Sequence, residues 1–297
     1  MIYKHSLMAG ISNLDLILKI LVYIVVFMLI AMALFTAIAV PIYHSIGESF
    51  DLSNRMDVLH KKLASTRITI NGVDETYKDV RQFFEQDAQK IGAALGVYIT
   101  FFMFILFFTS LMLVPATVLM HQRMTTGFST SFTKALIGNL KQSLQFAFIN
   151  TILGLILNFA LGVILYYITF TLYLGLKVVG LSIAVLIVSF MQGLKSVLIS
   201  QWLPNIVIEK KGILKSLGNS VKVSYKLMSD LLPFFTFLIL IVITVSLATS
   251  VFTAYLMPIL IFSLFGIFLI SANIISYYRT NKQNYMINEQ RFTFDDL

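Results

Sequence analysis

The 297-residue sequence has no cysteine, one tryptophan, five prolines and only 12% charged residues. Without cysteine there is no disulfide and no thiolate metal site. Soluble domains average about 25% charged residues. Here 58% of residues are hydrophobic and the mean hydropathy is +0.87. That much apolar surface cannot be hidden in a water-soluble core, so the solvent implied is lipid. H-E-x-x-H, G-x-S-x-G and G-x-x-x-x-G-K-(S/T) are all missing. The long apolar runs hold no Asp, Glu or His in their interiors, and the histidines fall at His5, His44, His60 and His121. An intramembrane hydrolase needs a base beside its nucleophile, and a carboxylate proton pump needs an acid at depth. The reading is a non-enzyme with no cofactor and no metal.

Six runs are long enough to cross a bilayer, which takes about 20 apolar residues. They are Ile20 to Tyr43, Ile91 to Met120, Gln145 to Phe170, Val178 to Leu203, and two within Leu231 to Tyr278, divided at Pro258. Undivided, the last stretch would be about 70 Å of helix, more than twice the hydrocarbon thickness. The prolines at 41, 115, 204, 233 and 258 mark span edges, since proline costs a helix interior about 3 kcal/mol. The first run is too long for a cleavable signal and lacks a small-x-small site. The expected fold is an all-α polytopic membrane protein, 1–297 forming one membrane domain.

Net charge is +8, a balance that nucleic-acid binders also show. The basic residues, however, lie beside apolar runs, which favours membrane over nucleic acid. Segments 121–144 and 204–230 carry excess Lys and Arg, and the termini carry Lys4, Lys19, Arg279, Lys282 and Arg291, so all share the cytoplasmic side. Segment 45–90 is then outside, with seven basic and eight acidic residues. Its spacing predicts a helical hairpin cap with a turn at Asn71-Gly72, its second arm continuing into span two; a plain charged connector is the alternative.

In 204–230, Leu214, Leu217, Val221, Tyr225 and Met228 share one helical face. Lys211, Lys215, Lys222 and Lys226 form a stripe of about 60° beside it. Such a helix suits the inner headgroup layer, lysines on anionic lipid. The same lysines would also satisfy the positive-inside rule with no ligand. On span three, Asn150, Gly154, Asn158 and Gly162 recur every fourth residue. On span four, Ser182, Ser189, Gly193 and Ser196 share a face. These stripes fit either tight packing of spans three and four or a polar groove for a lipid headgroup or small solute. Lys177 and Lys195 are expected to snorkel from the ends of span four.

Pro204, Val207, Glu209, Gly212, Ser216-Leu217 and Ser220 match P-x-x-V-x-E-x-x-G-x-x-x-(A/S)-L-x-x-S. This resembles six-helix bacterial membrane proteins related to the membrane domain of glycerophosphodiester phosphodiesterases. The resemblance covers about thirty residues. It implies a helical membrane module, often without assigned function. The expected role is non-enzymatic, in a bacterial cytoplasmic membrane: lipid or small-solute handling, or scaffolding a membrane complex. The catalytic domain of those fusions has no counterpart in these residues, so their activity is not implied. A second similarity is to permease subunits of ABC importers, whose cytoplasmic loop docks on an ATPase. Glu209, Gly218 and Asp230 to Pro233 look similar, but Glu209 to Gly218 is three residues too long. Each residue of error turns a docking face by about 100°.

Overall fold

The computed structural model describes residues 2–46, 70–250, 256–287 and 290–292. These residues are helical apart from one short hairpin. The helices are α1 Ile2–Ile11, α2 Leu14–Ile46, α3 Ile70–Thr126, α4 Phe132–Gly138, α5 Leu140–Leu198, α6 Trp202–Val207, α7 Ile213–Ser224, α8 Met228–Ser250 and α9 Leu256–Thr280. Strands β1 Tyr285–Ile287 and β2 Gln290–Phe292 pair antiparallel. Five stretches are long and apolar enough to cross a membrane: Leu18–Ile38, Ile99–Thr126, Leu140–Leu172, Ser182–Val207 and Ile213–Ser246.

The chain forms two compact units, 27–105 and the combination of 1–26 with 106–297. The first comprises the later part of α2 and the earlier part of α3. Leu29 and Met32 of α2 expose their side chains, as a lipid-facing helix does. Of the expected cap, 47–69 lies outside the described residues. Asn71 and Gly72 do not form a turn; they sit in the first turn of α3, which runs on without a break into the second span. The Asn-Gly signal is a local preference, and the helix that follows overrides it.

In the larger unit, α5 is a hairpin. Its 59 residues are interrupted at Lys177, whose φ of 50° and ψ of −123° are not helical. Asn158 and Lys195 stand 19 and 18 positions from that residue, yet their side chains bond at 2.5 Å. In a straight helix they would be about 55 Å apart. The two arms therefore run antiparallel, with Lys177 at the tip.

Proline placement departs from the expected edges. Pro115 lies inside α3, which continues to Thr126. Val114 and Ala116 beside it are buried. In a packed helix, neighbouring groups offset the lost backbone bond, and proline then no longer ends the helix. Pro204 and Pro258 each occupy the third position of a helix, where the missing N–H has no intrahelical acceptor.

Candidate functional site

The segment from Gln201 to Tyr225 is built as a docked helix. Lys210 takes a left-handed φ of 52°, turning the chain between α6 and α7. The Lys211 N–H then donates to the Asn205 carbonyl at 3.2 Å. Trp202 donates from Nε1 to the Ile213 carbonyl at 2.9 Å, and its ring packs on Phe146 with centroids 4.7 Å apart. Val114, Ile206 and Ile213 complete this apolar cluster. Glu209 accepts from the Tyr277 hydroxyl at 2.9 Å and pairs with Lys211. Asn205 donates to the Ser216 carbonyl at 3.4 Å, and the Gln201 amide donates to Ser276 at 2.7 Å. The residues of the sequence pattern are thus packing residues that fix α7 against the ends of α5 and α9.

Helix α7 has three faces. Ser216, Ser220 and Ser224 are buried completely, together with Ile213. About 110° around the helix, Leu214 is 68% exposed, Tyr225 76% exposed and Val221 exposed. A further 100° or so around lie Lys215, Lys222 and Lys226, all exposed, with Lys211 half-buried just before the helix. One face meets protein, one is apolar and unpacked, and one is charged. Serines suit the docked face because they let the backbone approach and find nearby carbonyls. Ser220 donates to the Leu198 carbonyl at 2.8 Å and accepts from the Gln201 N–H at 3.1 Å. Ser224 bonds Ser200 at 3.2 Å.

The polar stripe of the first α5 arm touches two different partners. Asn150 donates to Ser110 of α3 at 2.7 Å. Gly154 lies beside Leu106, which a Cβ there would meet at 3.7 Å. One turn further, Asn158 has rotated toward the second arm and accepts from Lys195. Gly162 is exposed, and a Cβ there would meet nothing within 4 Å. A repeat of four advances about 40° per turn, so one stripe serves α3 first and the hairpin partner later.

The second arm's small residues face elsewhere. A Cβ on Gly193 would stand 2.6 Å from Thr236 Oγ1 and 3.0 Å from its backbone nitrogen, so this side packs on α8. Ser189 is buried and donates to the Val185 carbonyl at 2.8 Å, Ser196 is half-buried, and Ser182 is exposed. The surface turned to the first arm carries Lys195, whose ammonium group bonds across the hairpin. Its Nζ lies 2.5 Å from Asn158 Oδ1 and 3.5 Å from Gln192 Oε1.

Sequence reasoning missed a polar and aromatic latch that joins both chain ends. His5 Nδ1 lies 2.5 Å from the Tyr285 hydroxyl. Tyr285 stacks on Tyr278 and Phe292, with centroids 5.5 and 5.7 Å away. Tyr278 in turn bonds His121 Nδ1 at 2.5 Å. Burial lowers the pKa of His5 and raises that of Tyr285. Nearby, Arg123 grips Asp15 with two bonds of 2.5 and 2.6 Å and also reaches Asn13 and Ser129. That hydrogen bonding holds the Asp15 carboxyl well below the usual carboxylate range, against an opposing contribution from burial. A cavity of about 680 Å³ opens here, lined by Asn13, Arg123, Phe128 and Met286 among others. The His5–Tyr285, His121–Tyr278 and Arg123–Asp15 pairings link positions more than 100 apart, and nothing in local spacing announces them. Among family models, curated proteins and solved structures, no match to this chain is found.

Proposed function

We propose that the chain is a non-enzymatic module of a bacterial cytoplasmic membrane, spanning it six times with both termini inside, that handles lipid or small amphiphiles at the inner leaflet. The five membrane-length stretches support a membrane protein, and α9, at 25 residues, is long enough to be a further span. The observation that carries the reading is the three-faced α7. A helix in the headgroup layer beside a protein needs one flank for protein, one for acyl chains and one for water and phosphate. Ser216, Leu214 and Lys215 supply the three. Each well-placed lysine contributes on the order of 1 kcal/mol toward anionic lipid.

The test is lipid preference. The protein is reconstituted in mixed bilayers, and its annular lipids are identified by native mass spectrometry. Enrichment of anionic lipid that disappears on combining Lys215→Gln, Lys222→Gln and Lys226→Gln supports the reading. Equal lipid composition around both forms contradicts it. The permease alternative draws on the same exposed Leu214 and Tyr225, which could meet an ATPase. It requires an ATPase that copurifies and detaches when Gly218, where a Cβ meets nothing within 4 Å, is made bulky.

A further inference from the structure

Lys195 lies three positions before Leu198, whose carbonyl accepts from Ser220 of α7, so it stands about 4.5 Å from that contact along α5, toward the Lys177 tip. If α7 marks the headgroup layer, as proposed above, Lys195 stands about one turn inside that layer, on the hydrocarbon side. Holding a cation at such depth is costly, and residues kept there pair with an opposite charge or serve a ligand. Its two partners, Asn158 and Gln192, are neutral amides. Among the described residues no carboxylate forms an ion pair with it. An ammonium has three N–H donors, and the Gln192 contact is long at 3.5 Å.

The surroundings leave room on one side. Toward Trp202 the stripe is closed, because Gly154 packs beside Leu106. Toward the Lys177 tip, Gly162 is exposed and faces open space one turn from Asn158. Lys195 itself is only half-buried. We propose that Lys195, positioned by Asn158, seats the anionic group of an amphiphile, a carboxylate or a phosphate, from the Gly162 side of the α5 hairpin. The inference rests on the membrane reading and gives that reading a ligand chemistry. Asn158 Oδ1 directs the ammonium across the hairpin, and the incoming anion takes the remaining donor. The chain of the amphiphile stays in the bilayer beside the exposed Gly162.

The experiment is equilibrium binding of carboxyl-carbon-13 oleate to the full chain in zwitterionic nanodiscs, read by the carboxyl resonance. Wild type is expected to bind saturably. Lys195→Met is expected to lose about tenfold or more in affinity, the effect of removing one charged hydrogen bond, and Lys195→Arg to retain binding. Lys195→Met should melt no lower than wild type, because it removes a cation that has only amide partners; if it is not recovered folded, Lys195→Gln carries the same comparison. Acetate and inorganic phosphate are added as competitors. Displacement by them assigns the site to soluble anions, and failure to displace assigns it to lipid; both support an anion seat. Unchanged oleate affinity in Lys195→Met, or no saturable binding in wild type, overturns it. Anionic-lipid enrichment through the α7 lysines is measured in the same variants. Absence of that enrichment in wild type, with saturable oleate binding intact, would refute the interfacial reading alone.

Discussion

Ser220 accepts the Gln201 N–H at 3.1 Å while donating to the Leu198 carbonyl at 2.8 Å, so one hydroxyl joins the middle of α7 to the end of the α5 hairpin. Ser220→Ala strands the buried Gln201 N–H, while the Leu198 carbonyl keeps Ser224 Oγ at 3.3 Å, and about 1–3 kcal/mol of destabilisation is expected. Gly218→Ala, two positions earlier and facing open space, is expected to be neutral or to stabilise by up to about 1 kcal/mol through helix propensity. Thermal unfolding in detergent compares the two. Equal melting shifts would mean that α7 is not docked through its serines.

Gly193 and Thr236 are in close backbone contact. A methyl at 193 must displace main-chain atoms of α8 as well as a hydroxyl, so Gly193→Ala is expected to cost about 1–3 kcal/mol. Gly162→Ala meets nothing and serves as the control. The same unfolding assay decides. A Gly193→Ala protein as stable as wild type would remove the tight contact between the second α5 arm and α8.

The terminal latch should depend on pH in both directions. Burial, with a smaller contribution from Lys4, lowers the His5 pKa below its ordinary 6.5. Between the two values the unfolded end takes up a proton that the folded one refuses, so stability falls as pH drops through and below about 6.5. Tyr285 has its pKa raised from 10.0 by burial. Its contribution is complete below pH 10 and is lost as pH rises beyond it. Asp15 adds a third limit, present above its ordinary 3.8 and lost as pH falls further. Amide protection factors over Tyr285 to Ile287, measured exchange relative to the intrinsic rate at each pH, should be highest on a plateau between about pH 6.5 and 10. His5→Gln should flatten the acid side of that plateau. Protection that is flat from pH 5 to 7 in wild type would contradict the role given to His5.

Five membrane-length stretches were legible because apolar run length is a direct consequence of bilayer thickness. So was α7, whose lysines and apolar residues separate at helical spacing. Ser216 and Ser220 stood out only as positions of the sequence pattern and not as a buried face, because serine carries no hydropathy signal and its burial depends on which carbonyls lie opposite. Lys195 was read as a snorkelling end because periodicity gives depth from a span's edge but not the partner across a hairpin. The expected turn at Asn71-Gly72 failed because a local preference competes with the cooperativity of the helix around it. The His5, Tyr285, Tyr278 and His121 chain was invisible, since its links cross the whole sequence and the strands that hold Tyr285 are three residues each.

The absence of cysteine makes the central claim directly measurable. Single cysteines placed by Leu214→Cys, Lys215→Cys and Ser220→Cys sample the three faces of α7 in a bilayer. Reaction with a membrane-impermeant maleimide, and quenching of an attached fluorophore by lipid-borne spin labels, are recorded for each. The account expects Lys215→Cys to react from water, Leu214→Cys to be quenched from lipid, and Ser220→Cys to do neither. If Leu214→Cys reacts from water as fast as Lys215→Cys and escapes lipid quenching, α7 does not lie in the headgroup layer and the account fails.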